Sequence, residues 1–189
     1  MTTNDTNTRT ALIVIDVQKG FDDADYWGPR NNPDAEANIG RLVAHAREQG
    51  WLLVAVRHAS AKPGSPLAPS APGFEPKDPA LYDGADLVVV KSAHAAFFGE
   101  PDLHQELQAR GVTRIVVTGI TTNFCVETTS RVGSDLGYEV VLPIDATHTF
   151  DRFGERDQRW FSADEIAAVT AANLDREFAA VVRTEDVLR

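Results

Sequence analysis

The sequence predicts an α/β protein: a single six-stranded, mostly parallel sheet with helices on both faces, a three-layer sandwich. Three observations predict it. Short runs rich in Val, Ile and Leu recur along the chain, with too little polar alternation for strands that keep one wet face. Segments with apolar residues at helical spacing separate most of them. Strand then helix, repeated, implies parallel pairing through crossover helices.

The elements follow in order. "MTTNDTNTR" (1–9) is polar and reads as a disordered leader, which leaves 10–189 as one domain. "ALIVIDV" (11–17) is the first strand, buried on both faces. In "PDAEANIGRLVAHAREQG" (33–50), Ile39, Leu42, Val43 and Ala46 share a helical face and Gly50 is a stop. "WLLVAVRH" (51–58) and "DLVVVK" (86–91) are the next strands. "PDLHQELQARG" (101–111) is a helix opened by Pro101 and closed by Gly111. "VTRIVVTGI" (112–120) is a strand, "FCVETTSRVGSDLG" (124–137) a helix opened near Cys125, and "YEVVLPID" (138–145) the fifth strand. "SADEIAAVTAANLDREFA" (162–179) starts with Ser162 and carries Glu165 three residues on, a capping box. "AAVVRT" (179–184) is the sixth strand. Two segments break the rhythm, 59–85 and 146–161; long irregular stretches of this kind serve as binding loops or as surface and interface arms.

Bulk properties narrow the function. A formal charge of −10 over 189 residues argues against nucleic acid and anionic membranes as partners. The N-terminal stretch lacks the apolar core of a signal peptide, and no apolar run is long enough to span a bilayer. One cysteine, Cys125, permits no intrachain disulfide. A cytoplasmic protein is the expectation.

In open α/β sheets ligands bind beyond the C-terminal ends of the strands. Asp16 and Gln18 stand there after the first strand, Arg57 and His58 after the second, Lys91 after the third, Thr121 and Cys125 after the fourth, and Asp145 after the fifth. A carboxylate able to take and return a proton, an ammonium favouring thiolate, a thiol, and backbone N–H groups in the turn before a helix form a coherent set for acyl transfer. Each also has a plain structural reading: a buried apolar Cys, an acid capping a helix, a solvated lysine, a hydrogen-bonded histidine. Convergence favours chemistry, and spacing alone goes no further.

Three stretches carry a resemblance: "IDVQKGF" (15–21), "KSAHAAFFGEPDL" (91–103) and "VVTGITTNFCVETTSRVGSDLGYEVVLPIDA" (116–146). Together they resemble the isochorismatase-like cysteine hydrolase superfamily over about residues 10–184. The resemblance implies a Rossmann-like sheet of order 3-2-1-4-5-6. It implies Asp16, Lys91 and Cys125 as catalytic residues and a cis peptide between Ile120 and Thr121. It further implies an oxyanion hole from the Thr121 and Cys125 amides, and a homodimer or larger homo-oligomer. Departures matter too. Metal-binding relatives carry an acid and several histidines after the second strand, whereas "VRHAS" (56–60) keeps only His58; no metal and no other cofactor is expected. Isochorismatases proper do not place cysteine at the nucleophile position. Thr122-Asn123 stands where the family usually has Thr-Asp. Segments 21–39 and 57–67 look most like the streptothricin hydrolase branch.

The resulting expectation is a metal-independent cysteine hydrolase that cleaves a C–N bond of a small amide, lactam or ureido compound through a thioester. Gln18, Phe21, Trp27, Arg57, His58 and Phe97 are the candidate substrate-binding residues, with Phe98, Phe150 and Trp160 as further rim aromatics. The alternatives are a silent metabolite-binding module of the same fold, a redox-responsive thiol protein, and a vinyl ether hydrolase of the isochorismatase type.

Overall fold

The computed structural model describes residues 9–78 and 81–189. Of the expected leader, residues 1–8 lie outside the described residues, and Arg9 already belongs to the first strand. Strands β1 (Arg9–Ile15), β2 (Leu52–His58), β3 (Leu87–Lys91), β4 (Val112–Ile120) and β5 (Glu139–Pro143) form the body of one sheet. Further along the chain come β6 (Thr147–His148), β7 (Arg152–Gly154), β8 (Arg159–Phe161) and β9 (Ala180–Val182). The main sheet has seven strands in the order β3-β2-β1-β4-β5-β9, with β6 paired to β4. All of its pairings are parallel. The expected order holds once β9 is counted as the sixth long-range strand. The extra strand, β6, is two residues long and carries no pattern a sequence could show.

Residues of β1 alternate between two cores. Ala11, Ile13 and Ile15 pack on one face, Leu12 and Val14 on the other, and all five are fully buried. The run is therefore apolar throughout because both faces are covered. Helices α1 (Ala24–Trp27) and α2 (Ala35–Glu48) precede β2. Helix α2 buries Ile39, Leu42, Val43 and Ala46 against the face of Leu12 and Val14. Full burial of each larger side chain contributes roughly 1.5–3 kcal/mol. Helices α3 (Leu103–Ala109), α4 (Glu127–Asp135) and α5 (Ala163–Leu174) follow β3, β4 and β8, and α6 (Thr184–Val187) follows β9. Leu103, Leu107 and Leu174 pack on the opposite face.

Local differences from expectation have local causes. Helix α3 starts at Leu103, not Pro101: the Glu100–Pro101 peptide is cis, and Asp102 caps the helix by accepting from the Gln105 N–H at 3.0 Å. Ser162 and Glu165 form the capping box of α5, as expected, but the helix stops at Leu174. Arg176 takes a left-handed conformation (φ 66°), which turns the chain into β9. The segment 146–161 folds into β6 and the antiparallel β7–β8 hairpin rather than an open loop. Among the described residues, no helix is long and apolar enough to cross a membrane.

At the top of the sheet β1 and β4 approach closely. Gly119 has φ 121°, and a Cβ there would overlap the Ile15 carbonyl oxygen. Both the dihedral and the space exclude a side chain. Gly119→Ala should therefore lower the unfolding free energy by about 2–4 kcal/mol, read as a shifted urea midpoint. An unchanged midpoint would contradict this packing.

Candidate active site

Three strands deliver the chemistry. Asp16 follows β1 directly, with φ 53°, a left-handed turn that Asp tolerates better than most residues. Its N–H donates to the Val56 carbonyl at 2.9 Å, which ties it to β2. Lys91 is the last residue of β3 and pairs in register with His58 of β2. Beyond β4 the Ile120–Thr121 peptide is cis, and residues Thr122–Val126 form a π-helical turn that leads into α4. Cys125 thus lies in this wide turn and not in the first turn of an α-helix, the expected placement. Single π turns of this kind often occur at functional sites.

These residues meet in a dry place. Asp16 and Lys91 are 0% and 1% exposed, and Cys125 is 7% exposed. The Lys91 ammonium donates to Asp16 Oδ2 at 2.7 Å and to Cys125 Sγ at 3.3 Å. It also reaches His58 Nδ1 at 3.1 Å and the Ala93 carbonyl at 3.2 Å. Asp16 Oδ1 has no hydrogen-bond partner among the described residues. Donor atoms of Asp16, His58 and Cys125 lie within 4.8 Å of one another, a grouping that would also suit a metal ion. The Lys91 ammonium contacts all three, so positive charge is already supplied among them.

Burial sets the protonation states. It pushes the Cys125 thiol up from its ordinary value, and the Asp16 charge pushes the same way; Lys91 opposes them and loses. The shift favours the protonated thiol at rest. Burial alone would lower Lys91, but the Asp16 charge and the hydrogen bond to it outweigh burial and hold the ammonium above its ordinary value. Burial and the neighbouring ammonium lower His58 and favour its neutral ring.

Above Cys125 lies a niche of about 70 Å³, which opens into a bowl of about 650 Å³. Phe21, Trp27, Leu67 and Phe124 supply the apolar lining of the niche; His58, His94 and Thr121 supply the polar lining beside the thiol. Phe21, Trp27 and Phe150 stack as one wall, with centroid separations of 4.8, 5.4 and 6.1 Å. Phe150 and Trp160 line the bowl.

Of the expected substrate-binding residues, Phe21, Trp27 and His58 line the niche and three do not. Arg57 points to the other side of β2, between the Phe74 and Tyr82 rings at 5.8 and 6.0 Å, because neighbours on a strand face opposite ways. Phe97 is in the core, stacked on Tyr138 at 5.8 Å. Gln18 is fully buried and clamps β2: its Oε1 accepts from the His58 N–H at 2.7 Å, and its Nε2 donates to the Phe74 carbonyl at 2.9 Å and the His58 carbonyl at 3.3 Å. Phe98 is 67% exposed and lines neither space. Asp145 turns away and accepts from the N–H and hydroxyl of Thr184 at 2.7 and 2.9 Å.

Sequence reasoning missed His94 and Phe124. His94 Nδ1 is 3.8 Å from Cys125 Sγ, and its ring stacks on Phe124 at 5.6 Å. Both sit inside the quoted motifs, three residues after Lys91 and one before Cys125, and position in those motifs was the available signal. It also missed the Thr121 side chain. That hydroxyl is buried at the niche and has no partner among the described residues.

The chain thus carries a buried carboxylate–ammonium–thiol cluster at the C-terminal edge of a parallel α/β sheet. An isochorismatase domain pattern matches residues 10–184, and the chain belongs to the isochorismatase family, within the isochorismatase-like cysteine hydrolase superfamily. It is 37% identical to the isochorismatase family protein YrdC of Bacillus subtilis over 95% of each chain. It is 33% identical to a streptothricin hydrolase of Streptomyces noursei, over 86% of this chain and 62% of that protein. The structure superposes on an isochorismatase-family protein from Chromobacterium violaceum with a TM-score of 0.87 at 35% identity, covering 97% and 93% of the two chains.

The two neighbours of Cys125 push its proton affinity in opposite directions. Lys91→Met should lower the rate of Cys125 alkylation by iodoacetamide at about pH 8 by roughly tenfold, because the ammonium is the neighbour that favours thiolate. Intact mass against time measures it, and an unchanged or faster rate would contradict the electrostatic assignment.

Proposed function

We propose that this protein is a metal-independent cysteine hydrolase that cleaves a C–N bond of a small amide, lactam or ureido compound through a thioester. The observation that carries the reading is the single Lys91 ammonium bonded to both Asp16 and Cys125 in a water-excluded site. The similarity to streptothricin hydrolase supports a C–N target.

In this reading Asp16 takes the Cys125 proton as the sulfur attacks the substrate carbonyl carbon. Lys91 keeps the carboxylate and sulfur in register and balances the charge that moves between them. The Thr121 and Cys125 amides receive the oxyanion; one such donor is typically worth about 3–4 kcal/mol of transition-state stabilisation. Asp16 then hands its proton to the departing nitrogen, and the C–N bond breaks. Asp16 next takes a proton from water as that water attacks the thioester carbonyl; the C–S bond breaks, the acid departs, and Asp16 returns that proton to the sulfur. A thiol protonated at rest suits this order, because the proton it releases is the one the leaving amine needs.

The niche limits the acyl part. Its lining beyond the cluster carries aromatic rings, imidazoles and a hydroxyl but no further charged side chain. A flat, uncharged group fits such a lining. The larger bowl leaves room for the rest of the substrate.

Intact-mass spectrometry of wild type and Cys125→Ala, mixed with a panel of amides, lactams, ureido compounds and streptothricin-like antibiotics, tests the reading. An acyl adduct or turnover in wild type alone is the expected result. Turnover that survives Cys125→Ala would overturn it.

A further inference from the structure

Three separate segments build the pocket around the niche: residues 25–28, residues 60–67, and residues 149–153 with Trp160. They depend on something fixed to set their spacing. Helix α2 is fixed, since four of its apolar side chains are buried against the sheet. Its first turn carries Glu36, which does not line the pocket.

The Glu36 carboxylate meets Arg30 and His148, which flank two of these segments, and Lys77, which lies further along the loop that carries the third. It accepts two parallel bonds from Arg30, Nη1 to Oε1 and Nη2 to Oε2, both 2.7 Å. It accepts from Lys77 Nζ at 2.9 Å, and Lys77 also meets Asp22 at 2.7 Å. The His148 ring nitrogen Nε2 lies 3.4 Å from Oε1, a contact without hydrogen-bond geometry, and that ring is fully buried. Burial works to raise the Glu36 pKa, but His148, Arg30 and Lys77 hold it well below the usual carboxylate range.

Each partner is joined to the wall. The Arg30 main chain pairs with Phe150 in an antiparallel bridge. The His148 ring meets Phe150 edge to face at 5.3 Å. Beside Lys77, Pro76 pairs with Gln18, and the Lys77 N–H donates to the Val17 carbonyl at 2.9 Å, so the long loop is stitched to the chain leading into Phe21. Trp27 closes the set by donating from Nε1 to the Gly20 carbonyl at 2.8 Å.

We propose that Glu36 is a positioning residue for substrate selection. By gathering Arg30, Lys77 and His148 on one carboxylate, it sets the distance between the Phe21–Trp27–Phe150 wall and Cys125, and so decides which flat acyl groups enter the niche. This rests on the reading that Cys125 is the nucleophile at the base of a substrate pocket. A preorganised wall supported from behind by locked side chains is what selective binding requires.

The test compares two alkylating probes of Cys125 on the full chain: iodoacetamide, and N-phenyl iodoacetamide, whose ring must enter the aromatic niche. Saturation kinetics separate apparent binding from the limiting rate. Glu36→Gln should raise the apparent binding constant of the phenyl probe about tenfold or more. Its limiting rate, and the iodoacetamide rate, should stay within about twofold of wild type. An equal change for both probes, or no change for either, would overturn the proposal. Should Glu36→Gln not fold, Lys77→Gln removes one bond at the edge of the network. It should shift the same ratio in the same direction by less, and an unchanged ratio would overturn the proposal. Failure of the nucleophile reading looks different: neither probe labels wild type. In that case amide hydrogen exchange decides. Glu36→Gln should raise exchange in residues 22–32, 62–77 and 146–153 together, and a rise confined to one segment would overturn the proposal.

Discussion

A lysine ammonium buried between a carboxylate and a thiol is the constraint on which the rest of this structure depends. An unpaired charge in so dry a place is prohibitively costly, so Lys91 needs Asp16, and Asp16 needs Lys91. The sheet order makes the pairing possible. Strand β3 is separated from β1 by β2, roughly 10 Å in all. A long side chain must cross the end of β2, and Lys91 does so beside His58, its register partner. Gln18 clamps the end of β2 by both polar groups of His58's peptide units, and Tyr82 holds the Val17 N–H at 2.8 Å. The residues around the cluster are thus supports for one ion pair and the thiol beside it.

The thiol follows from that arrangement. A helix N-terminus and a nearby cation commonly favour thiolate, but Cys125 sits in a π turn, and burial together with the Asp16 charge outweighs Lys91. The result is a thiol favoured in its protonated form next to a carboxylate, one oxygen of which has no hydrogen-bond partner among the described residues. The same features count against a redox-responsive role, since such thiols are exposed and rich in thiolate. The single cysteine offers no resolving partner within the chain.

Much of this was legible in the sequence where one physical rule acts alone. Apolar runs buried on both faces gave β1, β2 and β4, and Ser162 with Glu165 marked the start of α5 because a capping box is local. Asp16, Lys91 and Cys125 stood out because strand ends and motif positions coincide. Legibility ended where the answer depends on facing. Arg57 and His58 are adjacent, and only the strand's orientation decides that His58 faces the pocket. Phe97 and Phe124 are both aromatic neighbours of motif residues, yet one packs in the core and the other lines the niche. Glu36 was invisible, since its partners lie 6, 41 and 112 residues away by sequence number, in segments without periodicity. A two-residue strand such as β6 leaves no pattern at all.

Titrating Cys125 tests most directly whether burial and Asp16 keep the thiol protonated despite the adjacent ammonium. Ultraviolet thiolate absorbance against pH, with Cys125→Ser as the blank, reads one group only, because the chain has one cysteine. The expected result is no thiolate near neutral pH and a midpoint above the ordinary thiol value. A midpoint below neutrality would show a resting thiolate–ammonium pair and contradict it.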